Sequence, residues 1–515
     1  MNRGAKICLP IVVLGQLAFF TWVGRHRFID GDEGAFLLAS RLILAHKKPY
    51  IDFFYQQAPL LPYVYGPWLK FSGISWNSGR TLSALLSVLL GTILFEHVWR
   101  ETGSWRASLC SVLLFATSTL EFAWFSVVKT HCLAAFFLFS AYAVLTRTSS
   151  ALRPWMLAFS GVLLALSVDT RSYILLILPV FLFWILQNSN RAERPRTTGY
   201  FAAGFLVGVL PAFWLFVSAP DAFLFNNLRY HALRFGDAGL IGWWPQKIAI
   251  AIILFLGGSE ATGVQWSMLF CASVGFLAWV PKKSSARFAV WIAAVLGVIC
   301  LLPTPSYLQY FSLCVPFLIV GAVLGVNILF ARMTVPEERR LQLRAVVFSL
   351  AIYLGFGCYD LRKYTVTGDG VPGVHAALDR GDWRIKRVVQ VSETVDQIAR
   401  PGEVVASFWS GDIFQSHAEP LQGLESPFAI TVADKLTPQQ RAKYHIITWN
   451  EVEADFTMHR PRVFVLRNQI SSAFPKTELA HAQELAQHLA ALLQAHGYTL
   501  VRSVGGISIY VFHES

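Results

Sequence analysis

Charge is scarce in this chain: 14% of its 515 residues are Asp, Glu, Lys or Arg, where soluble domains carry roughly a quarter. With 55% hydrophobic residues beside that shortage, an ordinary soluble enzyme is excluded. Cysteine is sparse and one-sided. Cys8, Cys110, Cys132, Cys271, Cys300, Cys314 and Cys358 lie in or beside apolar runs, and none follows residue 358. No disulfide framework is indicated, and without a CxxC pair there is no zinc signature. HExxH spacing, a phosphate-cradling glycine loop and a nucleotide fingerprint are also missing. The N-terminus has basic residues followed by an apolar stretch, as a signal peptide does, but it lacks a small-x-small cleavage site before Arg25. It reads as a retained first helix.

What is present is a series of apolar runs before residue 360. At roughly 20 residues per crossing, the expected fold class is an α-helical polytopic membrane protein of about 11 to 13 spans with a C-terminal soluble α/β domain. The eleven clearest spans are 7–24, 80–98, 107–128, 132–146, 155–168, 172–188, 199–217, 264–280, 288–303, 310–331 and 345–359. Residues 247–258 are apolar but too short to cross, and read as a re-entrant or broken half-helix. The domains are then 1–359, membrane-embedded, with 25–79 as a first outer loop, and 360–515 outside. Net charge is +12, but its basic residues cluster between apolar runs, at Arg100 and Arg106, Arg147 and Arg153, Arg191 to Arg196, Lys282 and Lys283, and Arg332 to Arg344. That is the pattern of cytoplasmic loops, so no nucleic acid partner is expected. Arg3 and Lys6 put the N-terminus in the cytoplasm, and an odd span count puts the C-terminal domain outside an inner, or plasma, membrane.

The first outer loop begins Phe28-Ile29-Asp30-Gly31-Asp32-Glu33-Gly34. Residues 35–46 follow as an amphipathic helix with Ser40, Arg41 and His46 on its polar side, and a Tyr-, Trp- and Pro-rich stretch comes after. This composition favours a helix pair lying in the membrane interface. Asp30, Asp32 and Glu33 beside a greasy surface are costly unless they meet a cation, a metal or a substrate proton. The other reading is a solvated turn with Asp32 as N-cap and Glu33 in the first helical turn.

The order of these features resembles the GT-C membrane glycosyltransferases, most closely the protein O-mannosyltransferase and aminoarabinose transferase branch. The resemblance runs over residues 1–335. It rests on Asp32-Glu33, the helix after it, Gln56-Gln57-Ala58-Pro59-Leu60, Arg80 opening the second span, Val168-Asp169-Thr170-Arg171 at an outer turn, Tyr230-His231-Ala232-Leu233-Arg234-Phe235, and Tyr307-Leu308-Gln309-Tyr310-Phe311 before Val315-Pro316. It implies transfer of a sugar, with inversion, from a polyprenyl-phosphate donor to an extracytoplasmic glycan, lipid or protein. Asp32 matches the family's catalytic acid, with Glu33 beside it, and a carboxylate is the group needed to take a hydroxyl proton. Arg171 matches the family's basic residue, suited to a leaving phosphate.

His231 and Arg234, three apart, share a helix face and address either the phosphate and sugar or lipid headgroups. Arg80 reads as a site residue or as a snorkelling helix end. Tyr307, Gln309 and Tyr310 line a substrate cavity or belong to the aromatic belt. The branch's second acidic residue is replaced by Lys129-Thr130-His131, leaving Glu121, inside the third span, to substitute for it or to pair with Lys129. With a monophosphate leaving group and a lysine nearby, no cofactor and no obligatory metal are expected.

Residues 360–515 alternate strand-like runs (404–409, 445–449, 463–466, 507–512) with helical ones (383–398, 478–496), and Gly505-Gly506 reads as a hairpin turn. Trp409-Ser410-Gly411-Asp412 reads as a plain turn or a carbohydrate contact. The competing function is a transporter or flippase of lipid-linked sugar, which should carry internal repeats and polar midplane segments that are not apparent here. An inactive scaffold is the third.

Overall fold

The computed structural model describes residues 3–147, 153–234, 243–256, 261–369, 371, 380–426, 428–467 and 479–513. They form two compact units. The first comprises Met1–Gly24, Ser83–Phe213 and Asp237–Arg362, the second Arg25–Leu82, Trp214–Gly236 and Lys363–Ser515.

Apolar helices make up the first unit. Arg3–His26, Trp76–Thr102, Thr130–Arg147, Arg194–Ser218, Leu308–Arg332 and a helix from Pro336 are each long and apolar enough to cross a bilayer. Pro154–Thr170, Ser172–Asn188 and Ser285–Ile299 are shorter apolar helices. Two further pairs are bent: Trp105–Thr117 with Thr119–Phe125 by 63°, and Trp244–Leu256 with Ala261–Gly275 by 65°. Every expected span overlaps one of these elements, and the broken half-helix expected at 247–258 falls on the second bent pair. Large apolar side chains such as Leu206, Val207, Leu210 and Phe348 stay more than half exposed, which is tolerable where hydrocarbon replaces water. This is a multi-pass membrane protein.

Within this unit, small residues bring backbones together. A Cβ on Gly204 would lie 1.9 Å from the Ala158 carbonyl oxygen, and one on Gly161 2.2 Å from that of Phe201. Helices Pro154–Thr170 and Arg194–Ser218 therefore meet as small-residue surfaces do in membranes. The 63° break is repaired by a side chain. Ser118 is extended there, and Gln265 fills the gap: its Oε1 accepts from Thr119 N at 2.8 Å, while its Nε2 donates to the carbonyls of Thr117 and Tyr353 at 2.9 and 2.8 Å.

In the second unit a five-stranded sheet has the order β2-β1-β3-β5-β4, with β1 Val404–Ser407, β2 Glu419–Pro420, β3 Val463–Arg467, β4 Tyr498–Val504 and β5 Ile507–Phe512. β1 runs parallel to β2 and β3, while β5 is antiparallel to β3 and β4. Because side chains alternate along a strand, Val463 and Val465 face the Ile385–Ile398 helix side with Val391 and Val395. Phe464 and Leu466 face the other side, with Leu489 and Leu493 of helix Leu479–Ala495. The β4–β5 hairpin turns at Gly505, whose φ of +67° suits glycine.

One strand expectation fails. Residues 445–449 are irregular: His445 adopts φ +57° as the C-cap of helix Pro438–Tyr444, and Thr448 caps Trp449–Thr457 in a capping box with Glu451. Capping chemistry overrides the apolar run there. Residue 478, the expected start of the last long helix, lies outside the described residues.

Removing the side-chain amide in Gln265→Leu strands buried backbone groups worth about 1–3 kcal/mol each. The variant should therefore melt at a lower temperature in detergent than the parent, while a surface control such as Gln439→Leu, at an exposed position, should not.

Candidate functional site

The acidic cluster sits in the second unit, and its three carboxyls have separate fates. Asp30, 2% exposed, accepts the Asp32 backbone N–H at 3.1 Å and fixes the turn. Glu33 is fully buried in the first turn of helix Glu33–Leu44. Arg80 grips both of its oxygens, Nε to Oε1 at 2.7 Å and Nη2 to Oε2 at 2.6 Å, and also donates to the Arg27 carbonyl at 2.8 Å. Asp32 stays partly exposed. It occupies the N-cap position, but with helical φ and ψ of −79° and −22° its side chain makes no capping bond. The capping expectation thus holds for position and fails for chemistry. Arg80, 2% exposed, is no snorkelling residue.

The helix that carries Asp32 is packed on nearly every side. Nine of its twelve residues are buried, Ser40 among them, so it lacks the open polar face expected of an interfacial helix. Arg41 ties it down: its guanidinium donates to the carbonyls of Ile413, Phe414, Ser416 and Ala418 at 2.6–3.0 Å. A cavity of about 10 Å³, room for one water, lies behind it among Phe36, Phe54, Tyr55, Gln56 and Glu425. Burial pushes the Glu425 carboxyl up to about 7 despite the bond it accepts from Gly423 N and the charge of Lys47.

His231 and Arg234 follow a π-helical turn, Phe225–Arg229, in the same unit. His231 Nε2 donates to the Gln56 carbonyl at 3.1 Å, and the Arg234 guanidinium lies 5.6 Å from the ring centres of Tyr230 and Phe428. Tyr230 between them is fully buried and donates to the Phe428 carbonyl at 3.2 Å. Burial raises its pKa, and the charge of Asp32 adds to the rise, which places this helix within electrostatic range of that carboxylate. Phe235, the last residue of the motif, is outside the described residues.

The first unit gathers Arg171, His131, Tyr173 and Tyr310. Arg171 ends helix Pro154–Thr170 in an extended conformation, before a 3₁₀ turn at Ser172–Ile177. Its Nη1 is 2.8 Å from His131 Nδ1, and its guanidinium lies 5.0 and 4.8 Å from the rings of Tyr173 and Tyr310. Tyr307 stands edge-on to Tyr310 at 5.7 Å. Gln309 is buried, and its carbonyl accepts from Ser312. The Lys129 ammonium lies 4.8 Å from the Trp124 ring centre. Lys129, Arg171 and the His131 beside it are all at most 5% exposed, so two buried cations stand against aromatic rings. Glu121 is sealed, and neither of its oxygens has a hydrogen-bond partner among the described residues.

His131 and Tyr173 are the contributors that sequence reading passes over. Both sit within two residues of a motif member, and only the fold turns that nearness into contact. Among the described residues no three of His, Cys, Asp or Glu gather as metal ligands would.

No family model matches the sequence, and no curated protein matches it. Solved structures do match in fold. ArnT from Cupriavidus metallidurans bound to undecaprenyl phosphate superposes with a TM-score of 0.65 at 14% identity, covering 100% of this chain and 99% of that one. Its apo state gives 0.67 at 14% identity, with 98% of each chain covered. The archaeal oligosaccharyltransferase AglB from Archaeoglobus fulgidus, in complex with an inhibitory peptide and a dolichol-phosphate, gives 0.52 at 11% identity over 100% of this chain and 75% of that one.

Two stability measurements test these assignments. Arg80→Leu leaves Glu33 buried without its partner and should cost about 3–5 kcal/mol, whereas the double variant Arg80→Leu/Glu33→Leu should recover much of that loss in a thermal melt. Glu425 has a folded value above its unfolded 4.5. It therefore costs nothing below that pH and erodes stability as pH rises towards 7, by up to about 3 kcal/mol at ~1.4 kcal/mol per unit. Glu425→Gln should flatten that part of the melting-temperature profile and melt above the parent at pH 8.

Proposed function

We propose that this chain, which has the fold of the GT-C membrane glycosyltransferases, moves a sugar from a polyprenyl-phosphate donor to a hydroxyl of an extracytoplasmic glycan, lipid or protein. Asp32 takes the acceptor proton as the acceptor oxygen bonds to the anomeric carbon. The bond from that carbon to the phosphate oxygen breaks on the opposite face, so the sugar inverts and polyprenyl phosphate leaves. Charge develops on that phosphate, and Arg171 and Lys129 are the groups assigned to meet it, since forked, desolvated cations stabilise such charge best. His231 and Arg234 assist at the sugar or phosphate, and Tyr307, Gln309 and Tyr310 line the donor's path. In this reading the leaving charge is met by protein cations, with no resident metal or other cofactor, the N-terminus is cytoplasmic, and the C-terminal residues are extracytoplasmic.

One observation carries the reading: of the clustered acids, Asp30 and Glu33 are buried in the contacts that hold the loop, while Asp32 on the same fixed loop stays partly exposed. A general base needs that combination, because it must reach the substrate without wandering. The full-length likeness to ArnT, solved bound to undecaprenyl phosphate, supports the donor class.

Mass spectrometry of envelope glycans, lipids and proteins from cells with and without the chain should show one species that loses a sugar-sized mass in its absence. Asp32→Asn should fold, yet lower that transfer by about 10²–10⁴-fold, and Arg171→Ala should also lower it. Undiminished transfer in Asp32→Asn would sink the assignment, and a transporter would be indifferent to the change.

A further inference from the structure

Besides Arg80, the loop of residues 27–34 is held by chain made more than 300 residues later. Phe28 N donates to the Tyr364 carbonyl at 3.1 Å and Ile29 N to that of Trp383 at 2.8 Å. Trp409 Nε1 donates to the Gly31 carbonyl at 2.8 Å, one residue before Asp32. Two residues after Asp32, Gly34 meets Gly411 so closely that a Cβ on Gly34 would lie 2.6 Å from the Gly411 Cα and N. The contacts from 409–411 therefore bracket the carboxylate from both sides.

Trp409 itself is locked. It is 3% exposed, stacks on Trp76 at 5.8 Å and 22°, and meets Trp383 edge-on at 5.1 Å. The Arg467 guanidinium covers its other surroundings at 4.3 Å and is itself fixed by a forked pair to Asp412 at 2.8 and 2.6 Å. β1 ends at Ser407 and β3 at Arg467, so the ends of two paired strands set where the indole points. A cluster of three tryptophans and an ion pair thus holds the indole that bonds this one carbonyl.

We propose that Trp409 is a positioning residue for Asp32, and that the C-terminal sheet is thereby a working part of the transfer site. This rests on Asp32 being the base. The indole N–H fixes the Gly31 carbonyl, the Gly34–Gly411 contact fixes the helix start, and the carboxylate between them is aimed by both. The Trp409-Ser410-Gly411-Asp412 turn, which sequence alone leaves open as a sugar contact, is instead spent on this loop.

Trp409→Phe keeps a ring in the stack and deletes the N–H. The test uses the full chain in membranes of cells lacking it. A chloroform–methanol lipid extract of producing cells is the donor, and transfer is read by mass spectrometry on the acceptor identified from the envelope comparison. The maximal rate should fall about 10-fold or more, as displacements near 1 Å do. The half-saturating extract concentration should stay within about twofold; the melting temperature should fall somewhat, because a buried carbonyl loses its donor and the smaller ring leaves a void, so rates are compared per folded molecule. Gly34→Ala, which pushes the helix start off Gly411, should give the same loss of rate per folded molecule and serves if Trp409→Phe accumulates poorly. A wild-type rate in either variant, or a loss that tracks a lowered folded fraction, overturns the positioning role. Asp32→Asn, run alongside, separates the two ideas. If it transfers normally, the base assignment fails and this proposal with it; if it is inactive while Trp409→Phe is unimpaired, positioning alone fails.

Discussion

Glu33 and Arg80 are both sealed from water, and a carboxylate and a guanidinium so placed are tolerable only in each other's company. Their forked contact joins the start of one helix to the start of another. Arg80 also donates to the carbonyls of Arg27 and, at 3.5 Å, Phe28, so both ends of the acidic loop hang on one side chain. The division of labour among Asp30, Asp32 and Glu33 follows from that. Glu33 is satisfied internally, Asp30 is engaged in the turn, and Asp32 is carried partly exposed on a backbone with little freedom.

The helical membrane class and the C-terminal α/β pattern can be read from the sequence because each rests on local periodicity. Apolar runs of bilayer length need no partner to be recognised, and Gly505-Gly506 between two apolar strands announces its hairpin. Where local signals compete, the reading fails: 445–449 has strand composition, but Thr448 and Glu451 form a capping box that starts a helix. Helix Glu33–Leu44 has an amphipathic pattern, yet its polar residues are also buried, since Arg41 finds four carbonyls on the 413–418 loop. A cation that pairs with backbone leaves no sequence trace of its partner.

The same distinction applies to the candidate site. Asp32 and Arg171 are visible as motif members, but which of three neighbouring acids stays partly exposed depends on Arg80, 47 residues away. The aromatic faces around Arg171 come from Tyr173, close in sequence, and Tyr310, far from it. Trp409 carries no motif that ties it to Gly31. Its role emerges only when β1 and β3 pair and the turn after β1 is put against the loop. The buried cations of the first unit and the acidic loop of the second are each well defined by contacts of their own.

The bond from Trp409 to Gly31 closes a separation of 378 residues, and that has a bearing on biogenesis. Contacts of such range form late, after the intervening chain exists and its ends can meet. During synthesis the apolar segments enter the membrane one after another while the loop bearing Asp32 still has no template for its final shape. It gains one only after the 409–411 turn has been made. A polypeptide stopped before that turn, however completely inserted, would carry the Asp32 loop without the contacts that fix it.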